Sequence, residues 1–288
     1  MAERYAPGFG VDTRQLGWSM TKTVAGALAG VLVKDGRWAL EKPVPVPEWT
    51  EPGDPRGAIT LRDLLQMQSG LEFKEEYSPL TDVTTMLFDV GDAGGYAASK
   101  PLAHPVGTRW SYSSGTTNIL CRAMRDTLGD EAYAGFPRAA LFGPIGARSM
   151  LIEPDASGVF VGSSFGWATP RDWARLGLLL AQDGVWSGQR LLPEGWVDVL
   201  RAPAAASGGR YGGHVWLRLG DAGEESHPPD TFHFAGHDRQ LMTVIPSRQL
   251  VVLRMGLARS MRFYNHAELV RDVLAALPAE AAPLSAPR

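Results

Sequence analysis

The chain has 288 residues, of which 44% are hydrophobic and 20% charged, with a formal net charge of −3. That composition describes a globular protein with a large core, and it excludes a disordered chain and a basic nucleic-acid binder. Cys121 is the single cysteine, so no internal disulfide forms, and no apolar run reaches membrane-spanning length.

The first ten residues carry no apolar h-region, which makes a cytoplasmic location the expectation. Glu3-Arg4-Tyr5 reads as the end of a strand and Pro7-Gly8 as a turn. Gly17-Trp18-Ser19-Met20-Thr21-Lys22 then leads into an apolar run over 24–33. Val24, Ala27, Leu28, Val31 and Leu32 recur at helical spacing with small or apolar residues between them, so the pattern predicts a helix buried on most sides. Ser19 falls in its first turn, and Lys22 lies one turn on along the same face. A lysine at the mouth of a buried helix is partly desolvated, which lowers its pKa and lets it accept a proton. Ser19 sits near the positive end of the helix dipole, where developing negative charge is stabilised. A hydroxyl beside such an amine is a nucleophile with its base attached. With seventeen serines and five lysines, about 0.3 Ser-x-x-Lys pairs arise by chance, so placement and later motifs must carry the weight.

Lys34-Asp35-Gly36-Arg37 closes this helix, and the proline-rich stretch 43–55 reads as an extended surface segment. Thr60-Leu61-Arg62-Asp63 is a capping box for a helix through Met67. Residues 72–100 read as loops around a short helix near 82–89, with Glu75, Glu76 and Asp82 as solvated or capping residues. Trp110-Ser111-Tyr112-Ser113-Ser114-Gly115 precedes helices expected over 117–128 and 130–141. Thr169-Pro170-Arg171-Asp172 opens another, with Thr169 as cap, Pro170 at the first position and Asp172 closing the box. A further short helix starts at Pro193. From Tyr211 the texture becomes β, with runs at 211–219, 231–235, 240–245 and 249–255, the last two joined by Pro246-Ser247-Arg248. A helix over 261–277 follows, and the Pro/Ala-rich tail 278–288 is expected to be disordered.

Three pieces in this order, Ser19-x-x-Lys22, Tyr112-Ser113-Ser114 and Phe234-Ala235-Gly236-His237-Asp238-Arg239-Gln240, resemble the serine β-lactamase and penicillin-binding superfamily. The likeness is nearest to its class C β-lactamase-like branch of esterases and 6-aminohexanoate-dimer hydrolases, and it runs from residue 3 to about 257. It implies an α/β (α+β) fold, with an antiparallel sheet flanked by helices plus an all-helical lobe. One catalytic domain would cover 1–288, its helical lobe at about 35–200 and its sheet lobe built from 1–34 and 201–277. Ser19 would be the acylated nucleophile, Lys22 its proton acceptor and Tyr112 the relay to the leaving group. The backbone N–H groups of Ser19 and His237 would form the oxyanion hole. Gly236 would allow close strand approach, and Ser114, Tyr77, Trp167 and Arg239 would contact substrate. Phe73 and Trp216 read as pocket or core aromatics. The resemblance implies a small ester or amide substrate, no cofactor, no metal, and neither a nucleic-acid nor a membrane partner.

The chain departs from the pattern in places. Ser114 stands where many relatives have Asn, and Phe234 where the third motif often begins with Lys or His, which argues against recognition of a substrate carboxylate. Arg239 replaces a common Gly and would either crowd the site or bind an anion. The His233 and His237 side chains read as structural. Relatives carry a helix and two strands before the Ser-x-x-Lys helix, whereas eighteen residues precede Ser19 here. Strands are therefore expected to be missing, the strand at 249–255 to have an open edge, and copies to associate through it. The first reading is a serine hydrolase of carboxylesterase or amidase type. The alternatives are a non-catalytic relative binding acyl compounds or a partner, and a β-lactamase or D-alanyl-D-alanine peptidase-like enzyme.

Overall fold

Helix α1 (Met20–Lys34) is out of solvent from Met20 to Leu32. Its residues are mostly small or apolar, so no face needs water and neighbours wrap it on all sides. The Trp196 indole donates to the Gly26 carbonyl at 3.2 Å, and the Thr23 hydroxyl donates to the His214 carbonyl at 2.7 Å. The computed structural model describes residues 1–258 and 264–278. The expected tail at 279–288 and the expected helix start at 261–263 lie outside the described residues.

Strand β1 (Gln15–Leu16) enters α1. Helix α2 (Leu61–Leu65) opens on the predicted capping box: Asp63 N–H donates to Thr60 Oγ1 at 3.2 Å and Thr60 N–H to Asp63 Oδ2 at 2.9 Å. Helices α3 (Asp82–Phe88), α4 (Ala93–Ala98), α5 (Ser114–Leu128) and α6 (Asp130–Pro137) build the helical side. The single helix expected over 130–141 is broken at Pro137, which has no N–H for the ladder, and Arg138–Phe142 continues as a π turn. Strands β2 (Leu151–Ile152) and β3 (Gly166–Ala168) join β1 in a small antiparallel sheet of order β1-β3-β2. Helix α7 (Pro170–Ala181) starts on Pro170 as predicted, but Thr169 makes no side-chain cap. Asp172 does not close a box either; it accepts from the N–H and hydroxyl of Ser149 at 2.7 and 2.6 Å. Strands β4 (Val185–Trp186) and β5 (Gln189–Arg190) form a hairpin ahead of α8 (Trp196–Arg201).

The main sheet is β6 (Phe232–Gly236), β7 (Gln240–Ile245) and β8 (Leu250–Arg254), all antiparallel, with Phe234 opposite Met242 and Val244 opposite Val251. Side chains alternate between its faces. Met242 and Val251 pack on Gly177 of α7, while Ile245 and Val252 meet Val270 of α9 (His266–Ala276), with Leu269, Val273 and Leu274 around them. Both faces are thus covered by helices. The edge is not: among the described residues β8 has β7 as its sole strand neighbour.

Three local expectations are corrected. The run 211–219 is no strand; it folds back on itself through a Gly212 to Val215 turn and makes only the isolated bridges Tyr211–Trp216 and Trp216–His233. Glu3-Arg4-Tyr5 is not a strand, since Glu3 pairs with Arg171 of α7 and accepts from the Tyr5 hydroxyl at 2.8 Å. The stretch 43–55 is not wholly a surface segment: Val44, Val46 and Trp49 are buried, and Pro47–Trp49 is a 3-10 turn.

Candidate active site

Ser19 is the residue immediately before α1, one position earlier than the first-turn placement expected, with φ −63° and ψ −8°. Trp18 before it takes φ +49°, an unusual conformation for a bulky residue, and this turn aims the chain into the helix. Lys22 follows one turn into α1 and is 1% exposed. Its Nζ lies 3.1 Å from Ser19 Oγ, 2.9 Å from Ser114 Oγ and 2.9 Å from the Ser163 carbonyl oxygen. Burial pulls the Lys22 pKa down to about 8, against the opposing attraction of Glu75. An amine so placed can lose its proton near neutral pH.

The second motif is split across the start of α5. Ser113 is the cap, accepting from Thr116 N–H at 3.2 Å. Ser114 is therefore the first helical residue, with an N–H free of the helix ladder. Glu75 meets it: Oε2 accepts that N–H at 2.7 Å and Oε1 accepts the Ser114 hydroxyl at 2.5 Å. A carboxylate at a helix N-terminus is favoured by the dipole. Tyr112, half-buried just before the cap, holds its ring centroid 4.9 Å from Lys22 Nζ. Burial, with the Glu75 charge nearby, pushes its phenol pKa up, so it stays a neutral hydroxyl.

The third motif comes from the end of β6. A Cβ on Gly236 would overlap the Gly17 carbonyl oxygen, so a residue without a side chain is what lets β6 abut the turn that carries Ser19. The N–H groups of Ser19 and His237 make no hydrogen bond to protein among the described residues. The His237 ring is exposed and stacks on Tyr77 at 4.8 Å, and Trp18 lies 5.4 Å from His237 and 6.4 Å from Phe165. On the other side of the site Tyr112 meets Trp216 at 5.3 Å and Tyr211 at 5.7 Å.

The family model for Beta-lactamase matches residues 3–274. The chain belongs to the Beta-lactamase family. Among similar proteins, the 6-aminohexanoate-dimer hydrolase of Paenarthrobacter ureafaciens is 28% identical over 215 residues, covering 70% of this chain. The chain spans 54% of that relative's length. The penicillin-binding protein homologue of Caulobacter crescentus has a TM-score of 0.71 at 20% identity, over 93% of this chain and 85% of that one. A family VIII carboxylesterase has a TM-score of 0.67 at 18% identity, over 91% and 84%. These two likenesses are of fold.

Within this Beta-lactamase family chain, Ser19, Lys22, Tyr112, Ser114, Gly236, His237 and Tyr77 come together. One residue expected at the substrate does not join them. Arg239, at φ +62°, turns its guanidinium to Asp221 Oδ2 at 2.5 Å and stacks 5.8 Å from the Tyr264 ring, because the buried Asp221 carboxylate demands a cation. It neither crowds Ser19 nor offers a free charge there. Trp167 sits on β3 opposite Leu16 and Leu151, within the small sheet. Phe73 packs on α5, where a Cβ on Gly115 would lie 2.6 Å from its ring, so it is a core residue.

Sequence reasoning missed three participants. Glu75 was expected to be solvated or capping; it does take the first N–H of α5, but its place beside Lys22 and Ser114 was not foreseen. Ser163 contributes only a carbonyl, held by its N–H donating to Asn118 Oδ1 at 3.1 Å. His214, whose pKa burial lowers to about 4, lies 3.0 Å from Thr117 Oγ1 through Nε2 and 2.8 Å from the Leu65 carbonyl through Nδ1, tying α5 to α2 beside α1. The alternation Phe73, Glu75, Tyr77 was the available signal for Glu75: in an extended segment alternate residues share one face, and here Phe73 packs on α5, Glu75 meets Ser114 and Tyr77 stacks on His237.

Proposed function

We propose that the chain hydrolyses a carboxylic ester or small amide through an acyl-enzyme on Ser19. The observation that carries this reading is a buried lysine, its pKa lowered to about 8, at 3.1 Å from a serine hydroxyl that sits beside unbonded backbone donors. Neutral Lys22 takes the Ser19 proton as Oγ bonds to the substrate carbonyl carbon. The carbonyl electron pair moves onto oxygen, which the N–H groups of Ser19 and His237 receive. Tyr112, still a hydroxyl, passes its proton to the leaving oxygen or nitrogen and is reprotonated from Lys22. Water then repeats the sequence on the acyl carbonyl and frees Ser19.

Substrates without a carboxylate fit best. Phe234, where a cation would meet such a group, is wholly buried in the core. The aromatic walls on both sides of Ser19 suit an apolar acyl or alcohol part. The test is hydrolysis of p-nitrophenyl acetate and butyrate against nitrocefin. Turnover of both esters with little of nitrocefin is expected. Rapid nitrocefin turnover, or no ester cleavage, contradicts the reading. Gly236→Ala, by pushing β6 off the Ser19 turn, should lower ester turnover by about 100-fold, the usual scale for a misplacement of about 1 Å.

A further inference from the structure

A neutral amine has two N–H bonds and one lone pair, and Lys22 Nζ has three neighbours within 3.1 Å. The Ser163 carbonyl can only accept. Ser114 Oγ carries one proton, and that proton is on Glu75 Oε1 at 2.5 Å, since a carboxylate can only accept. Ser114 therefore presents only lone pairs to Lys22. Both N–H bonds of neutral Lys22 are then committed to Ser114 and Ser163, and its lone pair is left for the Ser19 hydroxyl.

The carboxylate is well placed to hold this arrangement. It binds Ser114 through both oxygens, at 2.7 and 2.5 Å, across the start of α5. Burial raises the Glu75 pKa, while Lys22 and the two Ser114 bonds favour its charged form. The other titratable groups about Lys22 are Tyr112 from the segment before α5 and His214 from the 211–216 turn, with Tyr77 beside Glu75. None of these reaches the Ser114 hydroxyl among the described residues. Without Glu75, the Ser114 proton is free to turn onto the Lys22 lone pair and compete with Ser19.

We propose that Glu75 is a positioning residue for proton transfer: by fixing Ser114 as an acceptor, it points the lone pair of Lys22 at Ser19. This rests on the acyl-enzyme reading above. The step needs no further reactant, as the proton leaves Ser19 Oγ for Lys22 Nζ while the Oγ–carbon bond forms.

The experiment measures kcat and KM for p-nitrophenyl acetate from pH 6 to 10 in the full chain, with Ser19→Ala and melting curves alongside. Glu75→Gln offers one acceptor where Ser114 needs two. Its kcat should fall by about 10- to 100-fold with KM within about threefold, and its acid limb should move below the wild-type midpoint, because the charge that lifts the Lys22 pKa is gone. Ser114→Ala should lose a similar factor without that downward shift, because Glu75 stays charged. Ser114→Asn can donate to Glu75 and accept from Lys22, so it should recover most of the rate. Should Glu75→Gln fail to fold, the two Ser114 variants decide. The proposal is overturned by Glu75→Gln with wild-type kcat and acid limb, or by Ser114→Asn as slow as Ser114→Ala. A wild-type chain with no Ser19-dependent turnover overturns both this proposal and the reading it rests on, whereas the former outcomes leave that reading intact.

Discussion

Ser19→Ala should remove ester hydrolysis by about 10⁴- to 10⁶-fold, the scale seen when a nucleophile is deleted from a site whose parts act together. The variant is clean because the hydroxyl has little structural duty. Ser19 precedes α1 but makes no side-chain cap bond, and among the described residues its Oγ meets only Lys22 Nζ, at 3.1 Å. Alanine therefore takes away the attacking atom while β6, α5 and the backbone N–H groups stay in place. Activity should vanish with the melting temperature nearly unchanged. Retention of most activity would move the nucleophile elsewhere.

Lys22→Arg should fail almost as completely, by about 100-fold or more at neutral pH. Guanidinium stays protonated throughout the working range, so it cannot accept the Ser19 proton. It must also fit a site where Lys22 is 1% exposed between Ser114 and Ser163. The pH dependence carries the sign of the base. With the Lys22 pKa lowered to about 8, the neutral amine grows as pH rises, so wild-type kcat/KM should climb through the neutral range and reach half its plateau near about 8. A flat profile from pH 6 to 9, or a Lys22→Arg variant with wild-type rate, would show that this amine is not the base.

Some of this site was legible in the residues and some was not. Ser19 and Lys22 are one helical turn apart, so their meeting follows from helix geometry once the buried run is recognised. Gly236 was legible for a related reason, as the residue that lets two backbones touch. The place of Glu75 at the site was not, because a carboxylate in a stretch as polar as Lys74-Glu75-Glu76 reads as solvated or capping unless its register is weighed against Phe73 and Tyr77. The Ser163 carbonyl has no side-chain signature at all. Arg239 read as a charge at the site because its partner Asp221 lies eighteen residues upstream, beyond any local pattern. The helices were readable from capping and periodicity, as at Thr60 and Pro170, and their errors were physical: Pro137 interrupts a ladder, and Asp172 finds Ser149 instead of its own helix end. The stretch at 211–219 has strand-forming residues, but it turns back between Gly212 and Val215, with His214 at φ +61°, and so makes isolated bridges in place of a ladder.

The most direct test of the central claim is the intact mass of the protein after treatment with a fluorophosphonate probe, followed by mapping of the labelled peptide. One adduct per chain, located on Ser19 and absent from Ser19→Ala, is the predicted result. No adduct, or an adduct that persists in Ser19→Ala, would contradict it.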